Sequence, residues 1–220
     1  IERGKRFLFH SSSSFPKSFN RNPDRGLIMR EELKLREGNG LVVVGSHVPK
    51  TTRQLYALLD NPTTSGIELD VEKVLSGGES RSRERERILG SIADIHQEGH
   101  TPVLYTPREE LSFGNAQERL DAGTKISAFL VEIVGAKLEA LDFLVSKGGI
   151  TSHDILVSGL GPEFVRVLGQ VHPGVPAVEL PAGHPSEGMP YIIFPGNVGD
   201  DETLEFVYRS YFQSEELRPL

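Results

Sequence analysis

The sequence predicts an α/β protein whose mostly parallel central sheet is flanked by helices. Three observations carry that prediction. Short β-branched and apolar runs, such as Leu41-Val42-Val43-Val44 and Phe143-Leu144-Val145, have the pattern of strands buried on both faces. Segments with three- and four-residue apolar spacing lie between such runs, so strands and helices alternate along the chain. Several strands end at glycine turns, as Val44 does at Gly45.

Taken in order, Lys5 to His10 reads as a short strand, and the Ser-, Pro- and Asn-rich stretch 11–24 reads as a loop or linker. Leu41 to Val44 is the first buried strand. Thr51 to Leu59 takes helical spacing, with Leu55, Leu58 and Leu59 on one side, and Ile67 to Leu69 is a short strand. Ser80 to Glu98 opens with the charged run Arg81 to Arg87 and then gains Ile88, Leu89, Ile92 and Ile95, which predicts an amphipathic helix with a solvated first half. Pro102 to Tyr105 is a strand. The strongest helix runs from Ala116 to Ala140, carrying Leu120, Ile126, Phe129, Leu130, Ile133, Val134 and Leu138 at helical intervals. Phe143 to Val145 is a strand and Ser152 to Leu160 a short helix. Phe164 to Leu168, Ala177 to Leu180 and Tyr191 to Phe194 are further strands, and Thr203 to Phe212 closes the pattern as a helix.

Composition narrows the function. The 220 residues suffice for one large core or two small ones. A formal net charge of -7 argues against a nucleic-acid footprint, which needs clustered Lys and Arg in excess. The absence of cysteine excludes disulfides, thiolate metal sites and cysteine nucleophiles. No apolar run is long enough for a membrane helix and no signal-peptide pattern opens the chain, so a cytoplasmic location is expected. Ile1 is followed almost at once by Phe7-Leu8-Phe9, which reads as the middle of a longer protein with an N-terminal region preceding it.

Three glycine turns are candidates for holding phosphate. Ligands of open α/β sheets bind beyond the carboxyl ends of the strands, where helix N-termini aim N–H groups outward. The first turn is Gly45-Ser46-His47-Val48-Pro49-Lys50-Thr51-Thr52, with hydroxyls, amides and the charge of Lys50; its plainer role is a strand-to-helix turn capped by Thr51 or Thr52. The second is Ser146-Lys147-Gly148-Gly149-Ile150-Thr151-Ser152, where paired glycines allow close backbone approach and Thr151 or Ser152 caps the next helix. It is not a Walker A loop. The third is Phe194-Pro195-Gly196-Asn197-Val198-Gly199-Asp200, where a glycine can pass against a base or ribose.

Other constellations lead nowhere. His96 and His100 are four apart but lack a third ligand, so no metal site is predicted. Gly159-Leu160-Gly161 lacks the third glycine of a dinucleotide fingerprint and follows a helix. Asp200 and Asp201 read as helix-capping acids, with assistance to a magnesium ion as the other reading.

Together and in this order, the three turns resemble the C-terminal nucleotide-binding domain of the four-carbon acid sugar kinase family. Val43-Val44-Gly45-Ser46 with Thr52 and Gln54 looks like its first motif, and Lys147-Gly148-Gly149-Ile150-Thr151 like its Gly-Gly-x-Thr loop. Gly169-Gln170 through Pro173-Gly174-Val175-Pro176 is similar to the segment that follows, and Phe194-Pro195-Gly196-Asn197-Val198-Gly199 to its last glycine turn. The similarity runs from Arg6 to Phe212. Two positions depart from the family pattern: Ile150 stands where many members carry an acid, and Phe194-Pro195 where many carry a lysine-containing turn.

The resemblance implies ATP-dependent phosphorylation of erythronate, threonate or an oxo-tetronate, with Mg²⁺ bridging the phosphates. It places Ser46, Gly148, Gly149, Ile150, Thr151 and Gly196 against ATP. It also implies that the sugar acid and the catalytic base belong to an N-terminal substrate domain bearing an Asp-Asp-x-Thr-Gly motif, which this chain lacks, so that the chain alone is inactive. Two alternatives stand beside it: a nucleotide-binding module without kinase activity, and an assembly domain in a fused enzyme with a large apolar surface patch. No nucleic-acid or membrane partner is expected, and a homodimer is compatible with the sequence.

Overall fold

The structure is a computed structural model, and it describes residues 8–10, 15, 25–35, 38–109 and 111–213. The strand read over Lys5 to His10 and the loop over 11–24 lie, apart from 8–10 and 15, outside these residues. Within them, seven strands form one sheet: β1 (Gly40–Val44), β2 (Thr64–Glu68), β3 (Thr101–Tyr105), β4 (Phe143–Lys147), β5 (Arg166–His172), β6 (Val175–Glu179) and β7 (Pro190–Phe194), in the order β2-β3-β1-β4-β7-β6-β5.

Pairing is parallel from β2 across to β7 and antiparallel from β7 through β6 to β5. The sheet is therefore mostly parallel, as the sequence leads one to expect, but mixed, with an antiparallel edge that the sequence expectation does not include. The cause is local. Pro173 and Gly174 are the only residues between β5 and β6, and a two-residue connection can join only antiparallel neighbours. Gly174 takes the left-handed φ of +81° that such a turn needs. The glycine- and proline-rich stretch following Gly169 is this hairpin, so β5 runs to His172 rather than ending at Leu168.

The helices cover both faces. They are α1 (Pro49–Leu59), α2 (Val71–Ser76), α3 (Gly78–Gln97), α4 (Ala116–Lys137), α5 (Gly149–Asp154, continued by a π-helical turn Ile155–Leu160) and α6 (Thr203–Tyr211). Alternation along the strands splits the core. Leu41, Val43, Leu104 and Leu144 face α3 and α4 through Ile88, Ile92, Phe129 and Ile133. Val42, Val44, Val103, Val145 and Phe194 face α1 and α6 through Leu55, Leu58, Leu204 and Val207. β1 and β4 are wholly buried, as the apolar runs Leu41 to Val44 and Phe143 to Val145 predict for those residues.

The sheet reverses direction of growth between its two central strands. β1 leads through α1 on one face to β2 at one edge, whereas the neighbouring β4 leads through α5 on the other face towards β5 at the opposite edge. The carboxyl ends of β1 and β4 thus frame the crevice where open α/β sheets take ligands. Among the described residues no helix is long and apolar enough to cross a membrane.

Candidate nucleotide site

The three glycine turns converge on this crevice. β1, β4 and β7 are parallel neighbours, so Gly45, Gly148 and Pro195 leave the sheet side by side. Backbone bonds stitch the exits together: Gly45 N–H donates to the Lys147 carbonyl (3.2 Å) and Gly148 N–H to the Phe194 carbonyl (2.9 Å). Ser46 stands in the middle. A Cβ on Gly148 would lie 3.0 Å from Ser46 Cβ, and one on Gly196 would lie 2.9 Å from Ser46 Oγ. Only glycine lets the second and third turns close on the first. Gly148 also holds a φ of +125°, a conformation L side chains rarely adopt.

Thr151 lies against the first turn from below, where a side chain on Gly45 would overlap its hydroxyl. Gly149 and Ile150 instead form the open side: nothing lies within 4 Å of where a Gly149 side chain would start, and Ile150 is 78% exposed. The N–H groups of Gly149, Ile150 and Thr151 begin α5 and so have no carbonyl within the helix to receive them. Ser46, Gly148, Thr151 and Gly196 therefore share one floor, with Gly149 and Ile150 at its mouth.

Side chains of α1 fasten the third turn to the first. Thr51 Oγ1 donates to the Gly196 carbonyl (3.0 Å) and lies 3.2 Å from Ser46 Oγ. Gln54, fully buried, donates Nε2 to the carbonyls of Val198 (3.1 Å) and Asp200 (2.5 Å). Lys50 Nζ reaches the carbonyls of Asn197 (3.3 Å) and Gly199 (2.7 Å). Neither threonine of this turn is the cap: α1 starts at Pro49, because proline's fixed φ suits the first helical position, and Thr51 lies inside the first turn. Likewise α5 starts at Gly149, and the Ser152 hydroxyl bonds back to the Gly148 carbonyl (2.7 Å).

Two charged residues at the site are not singled out by the sequence. Arg108, just past β3, donates to the carbonyls of Ser46 (2.8 Å) and Thr106 and so braces the first turn from the side. Lys147 is the last residue of β4 and fully buried. Its Nζ donates to the Pro195 carbonyl (2.6 Å) and sits 4.1 Å from the centre of the Phe194 ring. Burial first, and repulsion from Lys50 second, push its ammonium down to about 7. The pattern Ser-Lys-Gly-Gly hides it, since a lysine beside two glycines reads as solvated loop. Alternation continued two residues past Val145 turns Ser146 to one face and Lys147 to the other, under α1.

Asp200 and Asp201 are committed elsewhere. Thr203 Oγ1 donates to Asp200 Oδ1 (2.6 Å), and Arg53 pairs with Asp201 (2.8 Å). His96 Nε2 donates to the Gly40 carbonyl (2.8 Å), and His100 Nδ1 meets Ser65 Oγ (3.2 Å). Among the described residues no three His, Asp or Glu side chains gather as a metal site would require. A cavity of about 840 Å³ opens beside Gly45, Thr106, Ile150 and Thr151, roofed by Leu120 and Ile126 of α4.

The segment 41–204 matches the family described as nucleotide-binding C-terminal domain. No curated protein sequence matches the chain. Solved structures share its fold. A Haemophilus influenzae protein of the DUF1537 family superposes with a TM-score of 0.63 at 19% identity, over 81% of this chain and 42% of its own. A Bordetella bronchiseptica DUF1537 protein, a domain-swapped dimer with bound citrate, gives 0.63 at 16% identity, over 83% of this chain and 44% of its own. A Salmonella typhimurium LT2 protein provisionally described as a tRNA synthase gives 0.59 at 20% identity, over 80% and 42%. The chain thus spans less than half the length of the solved structures it matches. The resemblance carried by the three glycine turns is upheld, and the chain belongs to the nucleotide-binding C-terminal domain family.

Proposed function

We propose that this chain is the ATP-binding half of a kinase that phosphorylates four-carbon acid sugars. The observation that carries the nucleotide part is the meeting of Ser46, Gly148, Thr151 and Gly196 on one floor at the switch point of the sheet. Side chains at the two glycines would push Ser46 away and open the floor, and the N–H groups opening α5 suit an anion. The neighbouring cavity of about 840 Å³ is large enough for a nucleoside, and its apolar helix α4 wall suits a base.

The kinase part rests on the family resemblance. ATP supplies the transferable phosphoryl group, and catalysis of such a transfer is mostly positioning and neutralisation of charge. This chain's residues hold the nucleotide: Ser46, Gly148, Gly149, Ile150, Thr151 and Gly196 form the cradle, while Thr51, Gln54 and Arg108 keep it shaped. Among the described residues Asp200 and Asp201 are both engaged, so Mg²⁺ would be held through the nucleotide's phosphates. The hydroxyl acceptor and its base belong to a substrate domain outside this sequence. That domain, a cytoplasmic location and a homodimeric assembly are parts of the same proposal.

The test is phosphoryl transfer. ADP release is measured with erythronate, threonate and oxo-tetronates, for this chain alone and for a protein joining it to a substrate domain. Turnover is expected only in the second. Nucleotide binding without turnover in either would favour the regulatory module.

A further inference from the structure

Among the described residues Lys147 has no carboxylate partner. Its ammonium has one hydrogen-bond acceptor there, the Pro195 carbonyl, for three N–H groups, and it is fully buried. Lysine is almost never buried so completely unless paired. The elements around it supply no negative charge. β1 contributes Val44, and β7 contributes the Phe194 ring and the Pro195 carbonyl. The Tyr191 hydroxyl of β7 is bound to Ser152 on the opposite face. α1 contributes Lys50, which repels it, and Arg53, which is paired with Asp201. The Ser152 hydroxyl of α5 is bound to Ser146 on the opposite face, the Glu205 carboxylate of α6 is held by Asn61 and Arg209, and the Asp200 carboxylate is occupied by Thr203.

The lysine lies under the cradle. Its backbone precedes Gly148, its carbonyl accepts from Gly45, and its Nζ grips the residue before Gly196, so all three turns meet at this one residue. We propose that Lys147 is the buried counter-charge of the anion site, and that nucleotide phosphate binding above it draws a proton from solvent onto Nζ. The inference rests on the nucleotide reading of the site. The balance is simple: buffer releases one proton, the Nζ lone pair accepts it, and no other bond changes.

The direction follows from linkage. Without ligand the ammonium is depressed to about 7, so it is largely neutral at pH 8. A phosphate overhead restores its charge, so binding weakens as pH rises, by about tenfold per unit above 7 while the bound lysine stays protonated. The lysine then takes up most of a proton per nucleotide at pH 8, and less at pH 7.

Titration calorimetry of this chain with Mg-ATP at pH 8, in two buffers of different ionisation enthalpy, reads that uptake. Lys147→Met, which keeps length and removes the charge, is expected to bind more weakly with almost no uptake. Binding with the same apparent enthalpy in both buffers would overturn the proposal while sparing the nucleotide site. Absence of binding in every buffer would sink both. Carbon-13 NMR of lysine Cε in the ligand-free chain tests the charge state independently of nucleotide. One lysine titrating near 7 and missing from Lys147→Met is expected, whereas every lysine titrating at ordinary values would overturn the proposal even if nucleotide binds.

Discussion

Gly148→Asp is expected to abolish the stabilisation of this chain by Mg-ATP. In the parent chain, a ligand present at a hundred times its Kd adds about 2.7 kcal/mol, which moves the midpoint of a domain this size by roughly 5–10 °C. The variant loses that shift for two reasons. An aspartate introduces negative charge where the phosphates are to rest. Its Cβ also meets Ser46 at 3.0 Å on a backbone held at φ +125°. Relaxation is blocked on both sides, because Gly148 N–H is bound to Phe194 and its carbonyl accepts from Ser152. Strain of this kind costs on the order of 1–3 kcal/mol, so the ligand-free midpoint falls as well. Differential scanning fluorimetry with and without millimolar Mg-ATP measures both effects. Gly90→Ala, on α3 with nothing within 4 Å of its new methyl, is the control and is expected to keep the shift.

Phe129→Ala is expected to cost the most in stability, about 3–5 kcal/mol, because truncation of a fully buried ring removes its transfer energy and leaves a cavity. Phe129 is fully buried on α4 within the core cluster formed with the β1 residues Leu41 and Val43. The Arg81 guanidinium lies 5.0 Å from its ring centre and pairs with Glu132, so truncation also loosens α3 from α4. Denaturant unfolding measures the loss, and a midpoint drop of about 10 °C is the thermal equivalent. A cost below about 1 kcal/mol would mean that α4 does not pack on the sheet as described.

Most of the architecture is legible in the sequence, for identifiable reasons. β1 and β4 are buried on both faces, and their short apolar runs, bounded by turn residues, show it. α3, α4 and α6 announce themselves by apolar spacing, and their observed limits fall close to those expected. The antiparallel edge is hidden because its deciding feature is a connection of two residues, Pro173 and Gly174, inside a stretch dominated by turn formers. The short helix Val71–Ser76 is hidden too, since six residues are too few to display a helical period.

At the site, backbone requirements are visible in the sequence and side-chain supports are not. Gly148 and Gly196 show because a missing side chain is itself a signal. That the two close on Ser46 is a property of strand order, which places β1, β4 and β7 side by side although they are far apart in the chain. Arg108 follows a strand from outside every glycine turn, and nothing local distinguishes it from a solvated arginine. Lys147 is seen as buried only when the register of β4 is carried through its last residue. Gln54 belongs to the first motif, but its grip on Val198 and Asp200 depends on α1 lying beside the third turn.

If three turns distant in sequence make one nucleotide site, they must respond to nucleotide together. Amide chemical-shift mapping of the nitrogen-15-labelled chain, titrated with Mg-ATP, tests this most directly. The largest changes are expected on Gly45 and Ser46, on Gly148 to Thr151 and on Gly196 and Asn197, all saturating at one concentration. Changes confined to one turn, centred elsewhere on the sheet, or absent at millimolar nucleotide would contradict a shared site.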